Sequence, residues 1–285
     1  MKSRLLAYMC SDDSLTAHAM KQVQAEAWPQ EPERLATLGF GWVQESRTLL
    51  RKHPSQAADS IDVLGLLCDI PARSIVGHMR KKNDDDVDTL DLQPFRLRKW
   101  VYAQSGKVPH FDQYRAGVVE DIPDHIRRSI QGKTDAEVVF HSFYNRMKQA
   151  GALSAGKTRG SRAGQALAET VVEMGQRARQ AGHEGPLGVN LVGATERLVV
   201  AARLGEPIFY RIFDGVEQPG EDPLFAGHRP KKIQHPHFKG VFVASGVQPK
   251  AGDWHELAER ELMWIDDTWE PHTLSIDDVE GQESV

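Results

Sequence analysis

Apolar positions fall into short continuous runs near both ends of the chain and into helical spacing in its middle. Leu5 to Cys10 is an apolar run closed by Ser11-Asp-Asp13, which predicts a buried strand. Ser14 stands where a helix cap belongs, and Leu15, Ala19, Val23 and Ala27 recur at helical spacing. A helix is therefore expected over residues 15–26, ended by Pro29 and Pro32. Gly39-Phe-Gly-Trp-Val43 and Thr48-Leu-Leu50 predict a hairpin with Glu45-Ser46 in its turn, and the two glycines mark a close backbone approach. A helix over 60–68 and strands over 74–79 and 99–103 follow.

The middle of the chain turns helical. Thr134-Asp-Ala-Glu137 reads as a capping box, and Val138, Val139, Phe143 and Met147 carry a helix to Gln149. Residues 151–164, rich in Gly, Ser and basic side chains, are expected to be a loop, and 165–181 a second helix. From Gly188 onward, strands are expected over 189–192, 197–203, 207–211, 240–245 and 261–265. The chain becomes acidic from Ser275, giving one domain over 1–274 and a frayed tail over 275–285. Strands clustered at both ends with helices between them make an α+β pattern that one domain with two sheets would satisfy.

Composition narrows the functional classes. The 285 residues are 40% hydrophobic and 26% charged, enough for a sizeable core. A net charge of −5 gives no general attraction to nucleic acid or to an anionic membrane, so neither is expected as a partner. Only Leu5 to Met9 separates the basic start from Ser11-Asp-Asp13, too little for a secretory signal, and a cytoplasmic location is expected. Cys10 and Cys68 are read as buried thiols, because two cysteines make no disulfide framework.

Candidate chemistry concentrates between Ala72 and Val108. Arg80 ends one apolar run and Ser105-Gly106 ends the next, which would bring a cation and free backbone N–H groups together in an anion-binding or oxyanion-type arrangement. The acidic stretch between them, from Lys81 to Asp91, is read as a solvated loop. Gly151-Ala-Leu-Ser-Ala-Gly-Lys-Thr158 matches the phosphate-loop pattern, but a helix precedes it where a buried strand is required, so a basic linker is expected. His228, His235 and His237 lack supporting ligands and read as part of a basic loop rather than a metal site. His78 and Asp135 could join a serine in a triad; a His within an apolar strand is more often a core residue. No cofactor is expected.

Several motifs in one order resemble the class II glutamine amidotransferases, members of the N-terminal-nucleophile hydrolases. Ser3-Arg-Leu-Leu-Ala-Tyr8 is similar to that family's C-R-L-L-x-Y opening, and Gly39-Phe-Gly-Trp42 to its glycine-rich hairpin. Gly77-His-Met-Arg80 resembles G-H-x-R, and Gln93-Pro-Phe95 resembles H/Q-P-F. Tyr102-Ala-Gln-Ser-Gly106 is similar to F-A-H-N-G, and Gly132-Lys-Thr-Asp-Ala-Glu137 to G-x-[ST]-D-[ST]-E. Val243-Ala-Ser245 and Trp254-His-Glu-Leu257 resemble the closing V-A-S-E and W-x-x-[VL]. The resemblance implies a four-layer αββα sandwich with a glutamine site at the end of the sheets. It also implies that Arg80 binds a substrate α-carboxylate and Asp135 its α-amino group.

The departures from the family pattern fall on the reaction itself. Ser3 occupies the nucleophile position, and Met before Lys2 is expected to be kept, which leaves Ser3 without the free α-amine that serves as base. Ser105 replaces the asparagine whose amide, with Gly106, forms the oxyanion hole. The expectation is a degenerate amidotransferase domain that binds glutamine or a γ-glutamyl compound as a ligand-binding or regulatory module. An active amidohydrolase releasing ammonia is the alternative, and a structural subunit for an oligomer or protein partner is a third reading. Trp254, Trp264 and Trp269 are candidates for such an interface.

Overall fold

Strand periodicity and helix spacing resolve into two antiparallel sheets flanked by helices. The computed structural model describes residues 3–28, 35–54, 62–81, 89–153, 160–218 and 233–282. In chain order the strands are β1 (Ser3–Cys10), β2 (Leu35–Gln44), β3 (Arg47–Pro54), β4 (Ser74–Lys81), β5 (Phe95–Leu97), β6 (Trp100–Ser105) and β7 (Asn190–Thr195). They continue with β8 (Leu198–Arg203), β9 (Ile208–Gln218), β10 (Ile233–Ser245), β11 (Trp254–Glu256), β12 (Glu261–Asp266) and β13 (His272–Ser275). The helices are α1 (Thr16–Glu26), α2 (Val63–Cys68), α3 (Phe111–Glu120), α4 (Asp124–Arg127), α5 (Asp135–Gln149), α6 (Gly160–Gln180) and α7 (Ile276–Gln282). One sheet has seven strands in the order β11-β9-β10-β1-β4-β2-β3, and the other six in the order β13-β12-β8-β7-β6-β5.

Alternation along the strands sorts the apolar side chains into three layers. Leu5, Ala7 and Met9 of β1 join Val76, Val241 and Val243 from the same sheet, and Val101, Ala103, Val192 and Ala201 from the other, in the layer between the sheets. Leu6 and Tyr8 point the opposite way, onto Ala19, Met20 and Val23 of α1 and Leu64 and Leu67 of α2. On the far side, Tyr102 stacks on Phe140 with ring centroids 4.9 Å apart, and Trp100 meets Phe143 edge-on at 5.3 Å. Leu167 and Val171 of α6 complete that layer. Each large side chain so buried contributes about 1.5–3 kcal/mol. The result is the four-layer αββα sandwich. Among the described residues no helix is long and apolar enough to cross a membrane.

Several local expectations need correction. Residues 276–282 do not fray: α7 buries Ile276 and Val279 against the α6 layer, and Arg260 reaches Asp277 at 2.5 Å and Glu280 at 2.7 Å. Its acidic first turn suits the helix dipole. Helix α6 begins at Gly160 rather than 165, because Gly160 and Gly164 are where it lies against Trp264. A Cβ at either glycine would sit 2.5 Å from that indole. No side chain caps α1, whose N-cap is Leu15; Asp12 instead caps the single 3-10 turn over Asp13–Leu15, accepting from Ser14 N. His235 belongs to β10 opposite Val216, and His237 follows in the same strand at a bulge, so neither sits in a loop. His228, residues 55–61 before α2, most of the acidic loop and Ser154–Thr158 of the phosphate-loop match lie outside the described residues.

The tryptophans are packed rather than open. Trp254 donates to Glu26 at 3.1 Å, Trp264 stacks on His272, and Trp269 packs against the layer between the sheets. Cys10 is buried, with its thiol directed at the Ala72 carbonyl, and Cys68 is half-buried.

Candidate functional site

Two glycines on β2 fix how the sheets meet. Gly41 lies over Val101, where a Cβ would come within 2.5 Å of its side chain. Gly39 lies over Gln93, where a Cβ would be 1.9 Å from the Gln93 carbonyl oxygen. Gln93 then clamps β6: its side chain accepts from Gln104 N at 2.6 Å and donates to Gln104 O at 2.9 Å. Gly41 pairs with Val76 and Gly39 with His78, so β6 runs from the middle of the first sheet toward the end where β1 starts and β4 stops.

Ser3, Arg80, Ser105 and Gly106 are thereby brought to one end of the sandwich. Ser3 is in register with Arg80. Strand alternation puts Ser3 on the same face as Leu5 and Arg80 on the same face as Val76, both toward the layer between the sheets. Ser105 shares the parity of Val101 and Ala103 and meets that layer from the second sheet, 9% exposed. The polar side chains close off the apolar stack at this end.

Asp135 joins from the helix side. Thr134 caps α5, its hydroxyl accepting from Glu137 N at 3.3 Å, which leaves Asp135 in the first turn. Asp135 Oδ2 accepts from Gln104 Nε2 at 2.9 Å and from Val108 N at 2.6 Å. Burial raises the Asp135 pKa, and these bonds oppose the rise. The capping box is only half formed. The Glu137 carboxylate accepts instead from Gln131 N at 2.9 Å and Gly132 N at 2.6 Å, tying down the loop that delivers α5.

His78 takes no part in a triad with Asp135, whose partners are Gln104 and Val108. Burial, with the Arg80 charge nearby, pulls the His78 pKa down to about 4, so the ring is neutral at pH 7. Gly106 holds φ at +83°, and a Cβ there would lie 2.3 Å from the Gly188 carbonyl oxygen. The residue in register with Ser105 is Asn190. Its amide is turned to backbone groups, Nδ2 donating to Glu206 O at 2.7 Å and Oδ1 accepting from Leu204 N and Gly205 N at 3.1 Å each. Asn190 is thus anchored to the turn after β8. Among the described residues there is no group of three or more side chains suited to hold a metal ion.

A cation, a half-buried carboxylate and a positive-φ glycine at the end of two facing sheets suit the two ends of an amino acid. A family model of the class II glutamine amidotransferases matches residues 30–183, more than half of the chain. The chain belongs to this family. The matched span includes Arg80, Ser105, Gly106 and Asp135, while Ser3 precedes it. No curated relative matches the sequence.

Solved structures share the amidotransferase fold over nearly the whole chain. A glutamine aminotransferase class-II domain protein from Silicibacter pomeroyi is 16% identical, with a TM-score of 0.59 over 96% of this chain and 99% of its own. A predicted glutamine amidotransferase from Pseudomonas aeruginosa is 13% identical, with a TM-score of 0.52 over 95% of this chain and 99% of its own. The glutamine phosphoribosylpyrophosphate amidotransferase of B. subtilis is 12% identical, with a TM-score of 0.52; the match covers 96% of this chain and 49% of that larger one.

Sequence reasoning left three parts of this candidate site without a role. Gln104 holds Asp135, Gln93 holds Gln104, and Asn190 braces the turn after β8. Both glutamines lie inside recognised motifs, so position alone could have marked them. Asn190 carries no such signal, because its partners are backbone groups some 15 residues away, Gly205 N among them.

Proposed function

We propose that this amidotransferase domain holds glutamine or a γ-glutamyl compound without hydrolysing it by the family's N-terminal-nucleophile route, and acts as a ligand-binding or regulatory module. Arg80 takes the α-carboxylate of the ligand through charge-assisted hydrogen bonds, and Asp135 takes the α-ammonium. Ser3 and Ser105 occupy the nucleophile and oxyanion positions, where a hydroxyl is the weaker nucleophile and a missing amide donor costs about 10²–10³ in rate. The observation that carries the reading is the Gln93–Gln104–Asp135 chain of hydrogen bonds, which keeps an ammonium-binding carboxylate in place beside an oxyanion position without its amide.

Calorimetric titration of the full chain with L-glutamine tests this, with ammonia release followed in parallel. Saturable binding is expected, with no ammonia formed. Arg80→Ala should weaken binding about 100-fold, in line with removal of one partner from a buried charge pair. Ammonia release that disappears in Ser3→Ala would overturn the proposal, as would a wild-type chain that takes up no glutamine. Intact mass of the native protein adds an independent check, since retention of Met1 and Lys2 closes the N-terminal route.

A further inference from the structure

Away from the glutamine site, a cavity of about 360 Å³ opens at the lateral edge of the sandwich, between β3, β5 and α5. Lys52, Arg96 and Arg98 line it, with Glu137 and His141 from α5 and the Phe95 ring as an apolar wall. That volume is within the range of small-molecule sites. Three cations face one carboxylate, and the Glu137 oxygens are already occupied by the backbone N–H groups of Gln131 and Gly132. The Lys52 ammonium lies 5.2 Å from the centre of the Phe95 ring. Arg96 is anchored through Nη1 to the Thr48 carbonyl at 2.8 Å, which holds its guanidinium beside β3. Among the described residues, the lining of the cavity carries more positive than negative charge.

His141 adds a requirement of the opposite kind. It is 2% exposed, and its Nδ1 lies 2.7 Å from the Glu137 carbonyl oxygen. A carbonyl only accepts, so Nδ1 carries the hydrogen; burial lowers the ring's pKa and keeps it neutral. Nε2 is then a bare acceptor, buried and without a hydrogen-bond partner among the described residues. Such an atom is costly to bury unless a donor meets it. Lys52, Arg96 and Arg98 are donors, yet none of them bonds Nε2 among the described residues; an anion that draws all three onto its oxygens leaves Nε2 to a hydroxyl of its own.

We propose that this cavity binds a small oxyanion carrying an O–H group, hydrogen phosphate or a hydroxyl-bearing phosphate ester, with Lys52, Arg96 and Arg98 on its oxygens and His141 Nε2 accepting the hydroxyl proton. Sulfate matches phosphate in shape but has no proton to donate at neutral pH, and it separates the two demands. In calorimetry of the full chain at fixed ionic strength, phosphate should bind saturably and at least about tenfold more tightly than sulfate, the difference one buried hydrogen bond makes. Arg96→Ala, at an exposed position, should weaken phosphate about tenfold while the chain stays folded by circular dichroism. His141→Phe should bring phosphate down to the sulfate level; if that variant unfolds, the wild-type phosphate-to-sulfate ratio still decides.

Glycerol 3-phosphate, in place of phosphate, tells an ester from the free ion by which binds more tightly. Arg80→Ala should leave phosphate binding unchanged, so this inference and the glutamine reading fail separately. No saturable phosphate binding, or equal affinity for phosphate and sulfate in the unmodified chain, overturns it.

Discussion

The Asp135 corner and the Ser105 corner close the same end of the sandwich, and their side chains are committed in different ways. At Asp135 the fold invests three residues in holding one carboxylate: Gln93 fixes Gln104, and Gln104 with Val108 fixes Asp135. At Ser105 the neighbouring amide of Asn190 is turned to backbone groups of its own hairpin, and a serine hydroxyl stands opposite it in the register. On the proposed reading, supporting contacts are built where a ligand's charge would be recognised, while a serine hydroxyl stands where a reaction would develop an oxyanion. Binding needs a fixed charge, whereas acyl transfer needs donors aimed at a charge that exists only transiently.

The largest effect on this contrast should come from Gly39→Ala. Its Cβ would sit 1.9 Å from the Gln93 carbonyl oxygen, a backbone atom that cannot step aside without moving the Gln93–Gln104 clamp. A loss of about 3 kcal/mol is expected in urea unfolding. Glutamine affinity should fall along with stability, because the clamp reaches Asp135. Unchanged stability would mean that the sheets are not held together at this point.

His78 offers a test under the ligand corner. In the unfolded chain it titrates near 6.5, and in the folded one only near 4, so acidification protonates the unfolded state first. Stability should be unaffected by this group at pH 7, then fall by about 3 kcal/mol as pH drops from 6.5 to 4. His78→Gln should flatten that part of the profile, which denaturant titrations across the range would reveal. At the other corner, Gly106→Ala should cost about 2 kcal/mol, since a side chain at φ +83° is strained and its Cβ would meet Gly188 O.

The contrast was only partly legible in the sequence. Apolar runs and helix spacing marked most strands of both sheets and the α5 cap, because those signals are local; the short edge strands β5, β11 and β13 went unmarked. Arg80, Ser105, Gly106 and Asp135 could be singled out from motif order alone. The Gln104–Asp135 bond joins residues 31 apart, and Asn190 works through backbone atoms, so neither leaves a periodic trace. Gly160 and Gly164 misled for the opposite reason. Glycine usually signals a loop, yet here it lets a helix approach Trp264, and only the partner reveals which role applies.

The smallest and sharpest test lies within the Asp135 corner. Burial holds this carboxyl's pKa above its ordinary value, so the folded chain keeps the proton to a higher pH than the unfolded one. That corner therefore contributes less stability as pH rises through the interval between the two values. A ligand ammonium pairs with the ionised form, so glutamine affinity should do the reverse and increase across the same interval. Gln104→Ala removes one of the bonds that stabilise the carboxylate, which should push the pKa further up and carry the affinity rise with it to higher pH. The loss at neutral pH should be about 1 kcal/mol, one hydrogen bond to a charged group partly replaced by water. Calorimetry of the two proteins from pH 4 to 8 would show the curves displaced. If they superimpose, Gln104 does not tune Asp135, and the corner's apparent support for ligand binding is no more than packing.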